Sequence, residues 1–589
     1  MKRAGQKLIA IVSLCVSFSA LASSPGQALK QLFEQEWQMR LKQSPLLATD
    51  VGEARYNHLL DQVTETNFAR WGSATEGFLK KLSKIDFNAL STQDKVNYQI
   101  FKAQLTQRLN DLHFKSYQIP FTSDSGFHTE IMRLPEQQPL RNELDFNNYL
   151  SRLQQIPRYF EQHKANMRAG LARGFSMPRL VMAGFSEVLE NAYLPGREAS
   201  GFWRPFKQRP VNIEPRKWLK LKASAKVIIT EEVMPAFKSL QRFFDQEYIP
   251  ASRDSLGASE LPDGSAFYAA QIARYTTLEL DAEEIHQIGI NEITRIRGEM
   301  EDIIKQLGYS GSFREFVEHL RSSPRFYAKT ATELLKEASY IAKKMDGQLP
   351  RLFTRLPRQP YAVEPVPESI APKYTTGRYL SAPINSERAG TYWVNTYALD
   401  KRPLYVLEAL TLYEAVPGHH LQNALNQELN ELPEFRRHSY ISAFGEGWGL
   451  YSERLGLEVG FYQDPYSNFG RLTYEMWRAA RLVIDTGIHT KGWSREQAIE
   501  LLENNSALST HNIRTEVDRY ISWPGQALSY KLGELKIREL RAKAEKRLAG
   551  KFDIRLFHDA ILKNGSVPLP VLEQQIEGYI EAQAVRLKD

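Results

Sequence analysis

The sequence predicts a large, mainly α-helical protein of two lobes with one small β element. Apolar residues such as Leu29, Leu32 and Phe33 recur at three- to four-residue spacing over long stretches, which is the period of an amphipathic helix. A chain of 589 residues is too long for one simple core. Residues 390–397 have the short aromatic and β-branched run of a strand, and little else does.

The N-terminus has the pattern of a secretory signal peptide over residues 1–22. Three basic residues precede the apolar run Leu8–Phe18, and Ala20–Ala22 is a typical cleavage site. The only cysteine, Cys15, lies inside this segment, so the mature chain is expected to contain neither disulfides nor a catalytic thiol. A lipid anchor at Cys15 is the less favoured alternative, because Leu14 is not the small residue that lipid attachment prefers.

The charge excludes some classes of partner. The formal charge of +7 falls to +4 when the three basic residues of the signal peptide are removed. No dense basic block remains, so we expect no nucleic-acid partner. No later apolar run approaches the roughly 18 residues of a transmembrane helix. The mature protein is therefore expected in the periplasm or outside the cell.

A polar segment with glycine and proline, Ala251–Ser265, is the best candidate boundary between the lobes. It divides the mature chain into an N-terminal helical lobe, 23–250, and a C-terminal lobe, 251–589, that carries the candidate site. Soon after this boundary, Asp281–Glu284 has the residues of a helix N-cap, which predicts a helix over 285–307.

The first candidate site is a carboxylate followed by two adjacent histidines, Glu414, His419 and His420. Pro417–Gly418 separates them, and this pair disfavours a continuous helix. On an unbroken helix Glu414 and His419 would point about 140° apart, but a break could turn His419 towards Glu414. Imidazoles and a carboxylate without thiols suit zinc or another borderline divalent ion. Alternatively, the histidines cap or pack a helix kink.

The second candidate site is Glu446, which lies 27 residues after His419. Gly445, Gly447 and Gly449 alternate around it, and glycine lets another backbone come close. A helix that returns past the first motif could therefore deliver Glu446 as a further ligand. The alternative is a close helix crossing with a solvated glutamate.

The third candidate site is a helical stripe of Arg481, Asp485 and His489 at four-residue spacing. Asp485 could orient His489, and Arg481 could hold Asp485 ionised. His489 is then a candidate ligand, substrate contact or proton donor. An ordinary salt-bridged helix surface explains the stripe equally well. Tyr520 and Tyr530 are further polar candidates.

Together these stretches resemble a bacterial family called domain of unknown function 885, which itself resembles helical zinc peptidases related to thimet oligopeptidase. The resemblance covers most of the chain after the signal peptide. The matching pieces include Leu261–Gly264, Glu283–His286, Gly390–Tyr392, Glu414–Gln422, Glu446–Trp448, Asp485–Gly487 and Pro524–Ala527.

The resemblance implies a metal site of the zincin kind. In that pattern a glutamate base lies between two histidine ligands, and a later helix supplies a third ligand. Glu414 is then the general base, His419 a zinc ligand and Glu446 the third ligand.

The resemblance also implies a peptide substrate in a groove between the lobes. Tyr392, Tyr520 or His489 could donate a hydrogen bond to the oxyanion, by analogy with related peptidases. Arg481, Tyr520 and Tyr530 are the candidate substrate contacts.

The chain departs from the family pattern at Tyr413, where a histidine is expected before Glu414. A phenol with a pKa near 10 is a poor zinc ligand at neutral pH. Either His420 or His489 replaces the missing ligand, or the ion is held weakly, or the site is inactive.

The leading hypothesis is a periplasmic, zinc-dependent, peptidase-like hydrolase. One alternative is a non-catalytic peptide-binding or envelope scaffold protein that has lost a metal ligand. Another is a metal-dependent hydrolase of a different amide or ester.

Overall fold

Helices make up most of the structure, as the apolar periodicity predicts. The computed structural model describes residues 24–194, 196–368, 370–382 and 388–586, and the predicted signal peptide lies outside them. The small β element is also present, so the expectation of a mainly α-helical fold with a minor sheet is confirmed.

The helices before residue 252 belong to the predicted N-terminal lobe. Two π-helical stretches join α8, α9 and α10 into one continuous rod. The helices are α1 (Pro25–Gln43), α2 (Pro45–Asp50), α3 (Glu65–Leu82), α4 (Thr92–His113), α5 (Phe127–Gln137), α6 (Glu143–Ala172), α7 (Phe185–Glu190), α8 (Pro215–Ile228), α9 (Met234–Phe243) and α10 (Ile249–Ala251).

The helices between residue 252 and the sheet begin as the sequence predicts. Asp281 caps α12, and its side chain and that of Glu284 bond each other's backbone N–H groups. These helices are α11 (Gly264–Thr276), α12 (Ala282–Gln306), α13 (Phe313–Ser322), α14 (Ala331–Asp346) and α15 (Leu349–Leu352).

The sheet has three strands among the described residues: β1 (Tyr361–Pro365), β2 (Gly377–Leu380) and β3 (Gly390–Val394). The central strand is β3, which pairs in parallel with β1 and antiparallel with β2. The sequence predicted a single element over 390–397; the structure ends that strand at Val394 and adds two partners, because a lone strand would leave its backbone groups unpaired.

The remaining helices surround the sheet and carry the candidate sites. The helices are α16 (Leu407–Glu414), α17 (His419–Gln427), α18 (Glu434–Arg437), α19 (Ser442–Leu455), α20 (Pro465–Lys491), α21 (Arg495–Asn505), α22 (Thr510–Ser522), α23 (Ser529–Leu548), α24 (Ile554–Leu562) and α25 (Leu569–Arg586).

A buried lysine ties three of these helices together behind the site. Lys531 on α23 is fully buried and pairs with Glu292 on α12, Glu475 on α20 and Glu534 on its own helix, each at 2.9 Å. Removing one member of such a network leaves an uncompensated buried charge, which is strongly destabilising. The network therefore holds α12, α20 and α23 in one arrangement.

The alternating glycines allow α19 to cross α23 at backbone contact. A Cβ atom on Gly447 would lie 2.5 Å from the Gly533 carbonyl carbon, and one on Gly533 would collide with the Ala443 carbonyl oxygen. The close backbone approach predicted from the glycine pattern is thus confirmed.

The two predicted lobes share apolar contacts. Phe33 on α1 and Phe101 on α4 pack against Phe435 on α18, with ring centroids 4.7 and 5.1 Å from that of Phe435. The largest apolar cluster contains residues from both sides of the proposed boundary at 250 and 251. The division into lobes remains a prediction.

Candidate functional site

The helix that carries the first motif is broken, as predicted. α16 ends at Glu414 and α17 begins at His419, and the Val416–Pro417 peptide between them is cis. Gly418 closes the break, with φ −74° and ψ −128°. A Cβ atom at position 418 would collide with the Tyr413 carbonyl oxygen, so this turn requires glycine. The break changes the direction in which His419 leaves the chain.

The break brings His419 to Glu446. His419 Nε2 lies 3.4 Å from Glu446 Oε2, and the Tyr413 hydroxyl donates a hydrogen bond to the same carboxylate oxygen. The rings of Tyr413 and His419 pack edge to face with centroids 4.7 Å apart. The His419 and Glu446 side chains are 13% and 14% exposed. Tyr413, Glu414, His419 and Glu446 are called the His419 cluster below.

Glu414 is the most buried carboxylate of the His419 cluster, at 8% exposure. Its Oε2 accepts a hydrogen bond from the backbone N–H of Tyr379 on β2, at 2.7 Å. Burial raises the pKa of Glu414, although the charges of His419 and Arg378 and the Tyr379 N–H act in the opposite direction. A carboxylate with a raised pKa is a stronger base near neutral pH.

His419 and Glu446 form an ion pair. Burial alone would lower the His419 pKa, but the bond to Glu446 and the charges of Glu446 and Glu414 raise it. Burial alone would raise the Glu446 pKa, but His419 and the hydroxyls of Tyr413 and Tyr440 lower it to about 2. The charged forms of His419 and Glu446 thus stabilise each other.

The donor set of the His419 cluster fits a divalent ion in two positions. Two ligands bound tetrahedrally at zinc distances lie about 3.4 Å apart, which is the separation of His419 Nε2 and Glu446 Oε2. The third position is held by Tyr413, and burial raises its phenol pKa well above the ordinary value. Among the described residues no group of three or more histidine, cysteine, aspartate or glutamate side chains is arranged to hold a metal.

His420 does not join the His419 cluster. It is 2% exposed, its Nδ1 hydrogen-bonds the Tyr379 hydroxyl at 3.1 Å, and its ring packs on that of Tyr361. Burial lowers its pKa to about 4. Successive residues on α17 point in directions about 100° apart, so His420 faces the sheet when His419 faces Glu446. It is not placed to replace the missing ligand.

His489 is also placed away from the His419 cluster. It is fully buried; Nδ1 accepts from the Ala258 N–H at 3.0 Å, and Nε2 donates to the Tyr520 carbonyl at 3.1 Å. Burial lowers its pKa to about 3. Because both ring nitrogens are bonded within the protein, His489 has no free atom for the ligand, substrate or proton-donor roles that the sequence suggested.

The rest of the helical stripe differs from the prediction as well. Asp485 accepts from the Tyr268 hydroxyl and the Gly525 N–H, rather than orienting His489 or pairing with Arg481. Burial raises the Asp485 pKa to about 7. The stripe is a buried structural network, because its partners arrive from helices that the spacing could not reveal.

The three predicted substrate contacts lie together. Arg481 Nε donates to the Tyr520 hydroxyl at 2.9 Å, its NH2 group pairs with Glu516, and its guanidinium stacks 4.0 Å from the Tyr530 ring centroid. Tyr520 also accepts from Trp477 Nε1 at 2.7 Å and is 1% exposed. Tyr530 is partly exposed, so it is the best placed of the three to reach a substrate.

Tyr392 lies beneath the His419 cluster and not in it. It is fully buried at the centre of β3, and its hydroxyl is 3.3 Å from Thr411 Oγ1 on α16. Alternation along the strand points Tyr392 into the core, and this placement does not offer its hydroxyl to a substrate.

Four site residues were missed from the sequence. Tyr379 and Arg378 come from β2, a strand that the sequence did not predict. Tyr440 precedes α19 and reaches Glu446 from outside the helix. Gln422 lies one helical turn after His419 on the same face, and this three-residue spacing was the available signal.

Comparison with known proteins places the chain in a family. No curated protein matches the chain. One solved structure, described as "the putative lipoprotein from Colwellia psychrerythraea", is 29% identical, with a TM-score of 0.89 over 95% of this chain and 100% of that one.

A "putative lipoprotein of unknown function from Shewanella oneidensis" is 19% identical, with a TM-score of 0.71 over 94% of this chain and 99% of that one, and shares the fold. The family described as "Bacterial protein of unknown function (DUF885)" matches residues 45–576. The chain therefore belongs to the DUF885 family of bacterial proteins.

Proposed function

We propose that this chain is a hydrolase of the bacterial cell envelope that cleaves peptide bonds at the His419 cluster. The observation that carries the proposal is the turn at Gly418. It sets Glu414, a base with a raised pKa, beside the partly exposed pair of His419 and Glu446. Perturbed ionisable groups brought together from separate helices are typical of catalytic sites.

The proposed location rests on the N-terminus and on the structural relatives. Residues 1–22 have the pattern of an export signal, and the two similar structures are described as lipoproteins in tentative terms. Within the described ranges, no helix combines the length and apolar character needed to cross a bilayer. A periplasmic or secreted protein is consistent with these observations.

Glu414 acts in this proposal as the general base. It takes a proton from the attacking water and passes it to the leaving amine. Tyr530 and Tyr440, which are both partly or largely exposed, replace the buried Tyr392 as candidate donors to the developing oxyanion. Arg378 on β2 adds positive charge near Glu414.

A divalent ion, proposed to be zinc, would be held by His419 and Glu446. When bound, such an ion polarises the scissile carbonyl and lowers the pKa of a coordinated water. With Tyr413 in the third position the ion is expected to bind weakly. A relation to the helical zinc peptidases of the thimet oligopeptidase type remains part of this proposal.

The test is cleavage of a diverse peptide pool by the purified mature protein, with and without added zinc. Glu414→Gln should reduce cleavage about 10²- to 10⁴-fold, as removal of a general base does. Glu431→Gln, at an exposed position, is the matched control and should cleave normally. Cleavage that survives Glu414→Gln, or no cleavage under any metal condition, would contradict the proposal.

A second candidate function is peptide binding without catalysis, as in an envelope scaffold protein. The observation that favours it is the hydrogen bond from Tyr413 to Glu446, which occupies a ligand oxygen with a protein group. Peptide binding that is indifferent to a chelator and to Glu414→Gln, in a protein that cleaves nothing, would support this alternative.

A further inference from the structure

A second polar recess opens beside the His419 cluster. It contains about 310 Å³ of free space, part of it open to solvent. Its polar wall includes the amide side chains of Gln422, Asn423 and Asn426 on α17 together with Tyr440, and its apolar wall includes Phe444 and Leu562. This recess is called the amide pocket below.

The amide pocket is continuous with the His419 cluster. His419, Gln422 and Asn426 are spaced by three and four residues, so they lie along one face of α17. Tyr440 lines the pocket and also hydrogen-bonds Glu446. A peptide that reaches the His419 cluster can therefore place a neighbouring side chain in the pocket.

Gln422 has hydrogen-bonding groups that the protein does not use. Its side chain is 7% exposed, yet within the described ranges neither Oε1 nor Nε2 has a hydrogen-bond partner. Asn426 donates to the Arg437 carbonyl at 3.2 Å, but its Oδ1 is also without a partner there. Buried polar groups left unpaired are costly, so a ligand that pairs with them gains affinity.

We propose that the amide pocket is a substrate subsite that takes a carboxamide side chain, that of glutamine or asparagine, next to the cleaved bond. This inference rests on the proposed peptidase function. A carboxamide offers one acceptor and two donor hydrogens, which complement the acceptor and donors of Gln422. The methylene groups of the ligand pack on Phe444 and Leu562.

Charged side chains fit the amide pocket poorly. The residues that line it, all within the described part of the chain, include no charged side chain. A carboxylate would face Gln422 Oε1 with a second acceptor, and an ammonium group would lose its hydration without gaining a counter-ion. A purely apolar side chain would leave the Gln422 amide unpaired. The selectivity expected is therefore for a neutral group that both donates and accepts.

The experiment measures peptide binding by titration calorimetry to the Glu414→Gln protein, so that turnover does not interfere. Peptides of one sequence carry Gln, its near-isostere Met or the charged Glu, moved through each position in turn. At one position the Gln peptide should bind about tenfold tighter than the Met and Glu peptides, as expected for two added hydrogen bonds.

The Gln422→Met variant should remove this preference, whereas Gln306→Met, at an exposed position on α12, should keep it. Circular dichroism checks that both variants fold. If Gln422→Met does not fold, Gln422→Glu serves instead, because it keeps the shape and replaces the donor with an acceptor; it should also lose the preference for Gln.

Equal binding of the Gln and Met peptides at every position would overturn the proposal. So would a Gln422→Met variant that weakens all peptides alike, because that result indicates recognition of the peptide backbone. A preference for Gln that depends on Gln422 in a protein that cleaves nothing would leave the subsite standing and contradict the hydrolase. Cleavage with no such preference would do the reverse.

Discussion

Two regions of this protein pair a histidine with a carboxylate on a helix, and the structure treats them in opposite ways. In the His419 cluster, His419 and Glu446 come from different helices and remain partly exposed. In the stripe on α20, Asp485 and His489 come from one helix and are fully buried. The sequence pattern alone made the stripe look as promising as the cluster.

The difference lies in which hydrogen-bonding capacity is left over. Both nitrogens of His489 and both oxygens of Asp485 have partners inside the protein. His419 Nδ1 has none within the described residues, and its Nε2 meets Glu446 at 3.4 Å, which is long for a charged hydrogen bond. Unused capacity beside solvent indicates a site, whereas satisfied capacity indicates structure.

The largest effect expected from breaking this comparison comes from the same substitution in both regions. His419→Leu should lower peptide cleavage at least 100-fold and reduce the free energy of unfolding by no more than about 1 kcal/mol, because the ion pair it removes is partly exposed.

His489→Leu should do the opposite. It leaves the Ala258 N–H and the Tyr520 carbonyl without partners and should cost about 2–5 kcal/mol of stability, with cleavage by the folded fraction unchanged within about threefold. Cleavage assays and urea unfolding of both variants measure this. Catalytic loss in the folded His489→Leu protein would mean that the two regions are not separate in function.

A smaller effect should follow from completing the ligand set of the His419 cluster. Tyr413→His replaces the phenol with an imidazole beside His419 and Glu446, and should raise zinc affinity at least tenfold. Tyr413→Phe is the control, since it removes the bond to Glu446 without adding a ligand. Competition with a chromophoric chelator measures the affinities. Equal affinities in the two variants would show that position 413 does not face the ion.

The smallest effect concerns the pH dependence of stability in the α20 stripe. Burial raises the Asp485 pKa from 3.8 to about 7, so the folded state holds this proton more tightly than the unfolded state. Asp485 therefore favours folding at low pH, and this contribution is lost as pH rises from about 4 to about 7.

Asp485→Asn keeps an acceptor for Tyr268 and should flatten this decline by on the order of 1–3 kcal/mol. Urea unfolding at pH 4.5, 5.5 and 7 measures it, with the exposed Glu431→Gln as control. A decline as steep as in the wild type would assign the pH dependence to other groups.

Several features could be predicted from local sequence. The apolar period predicted the helices, and Asp281 marked the start of α12. Pro417–Gly418 predicted the break before His419, and the glycines around Glu446 predicted a close helix crossing. Each of these follows from covalent geometry or backbone sterics, which a short stretch of chain carries by itself.

Other features depended on partners from distant parts of the chain. Tyr379 and Arg378 reach Glu414 because β2 pairs with β3, and that pairing has no signature in either strand alone. The inward placement of Tyr392 and His489 was decided in the same way.

By itself, therefore, the sequence determined the mainly helical fold, the break at Pro417–Gly418 and the convergence of His419 with a carboxylate from a second helix. Only the tertiary structure decided that Tyr413 bonds Glu446, that His489 is internal and that Gln422 is unpaired. Helical periodicity specifies the face on which a side chain lies, but the fate of a polar group depends on what packs against that face.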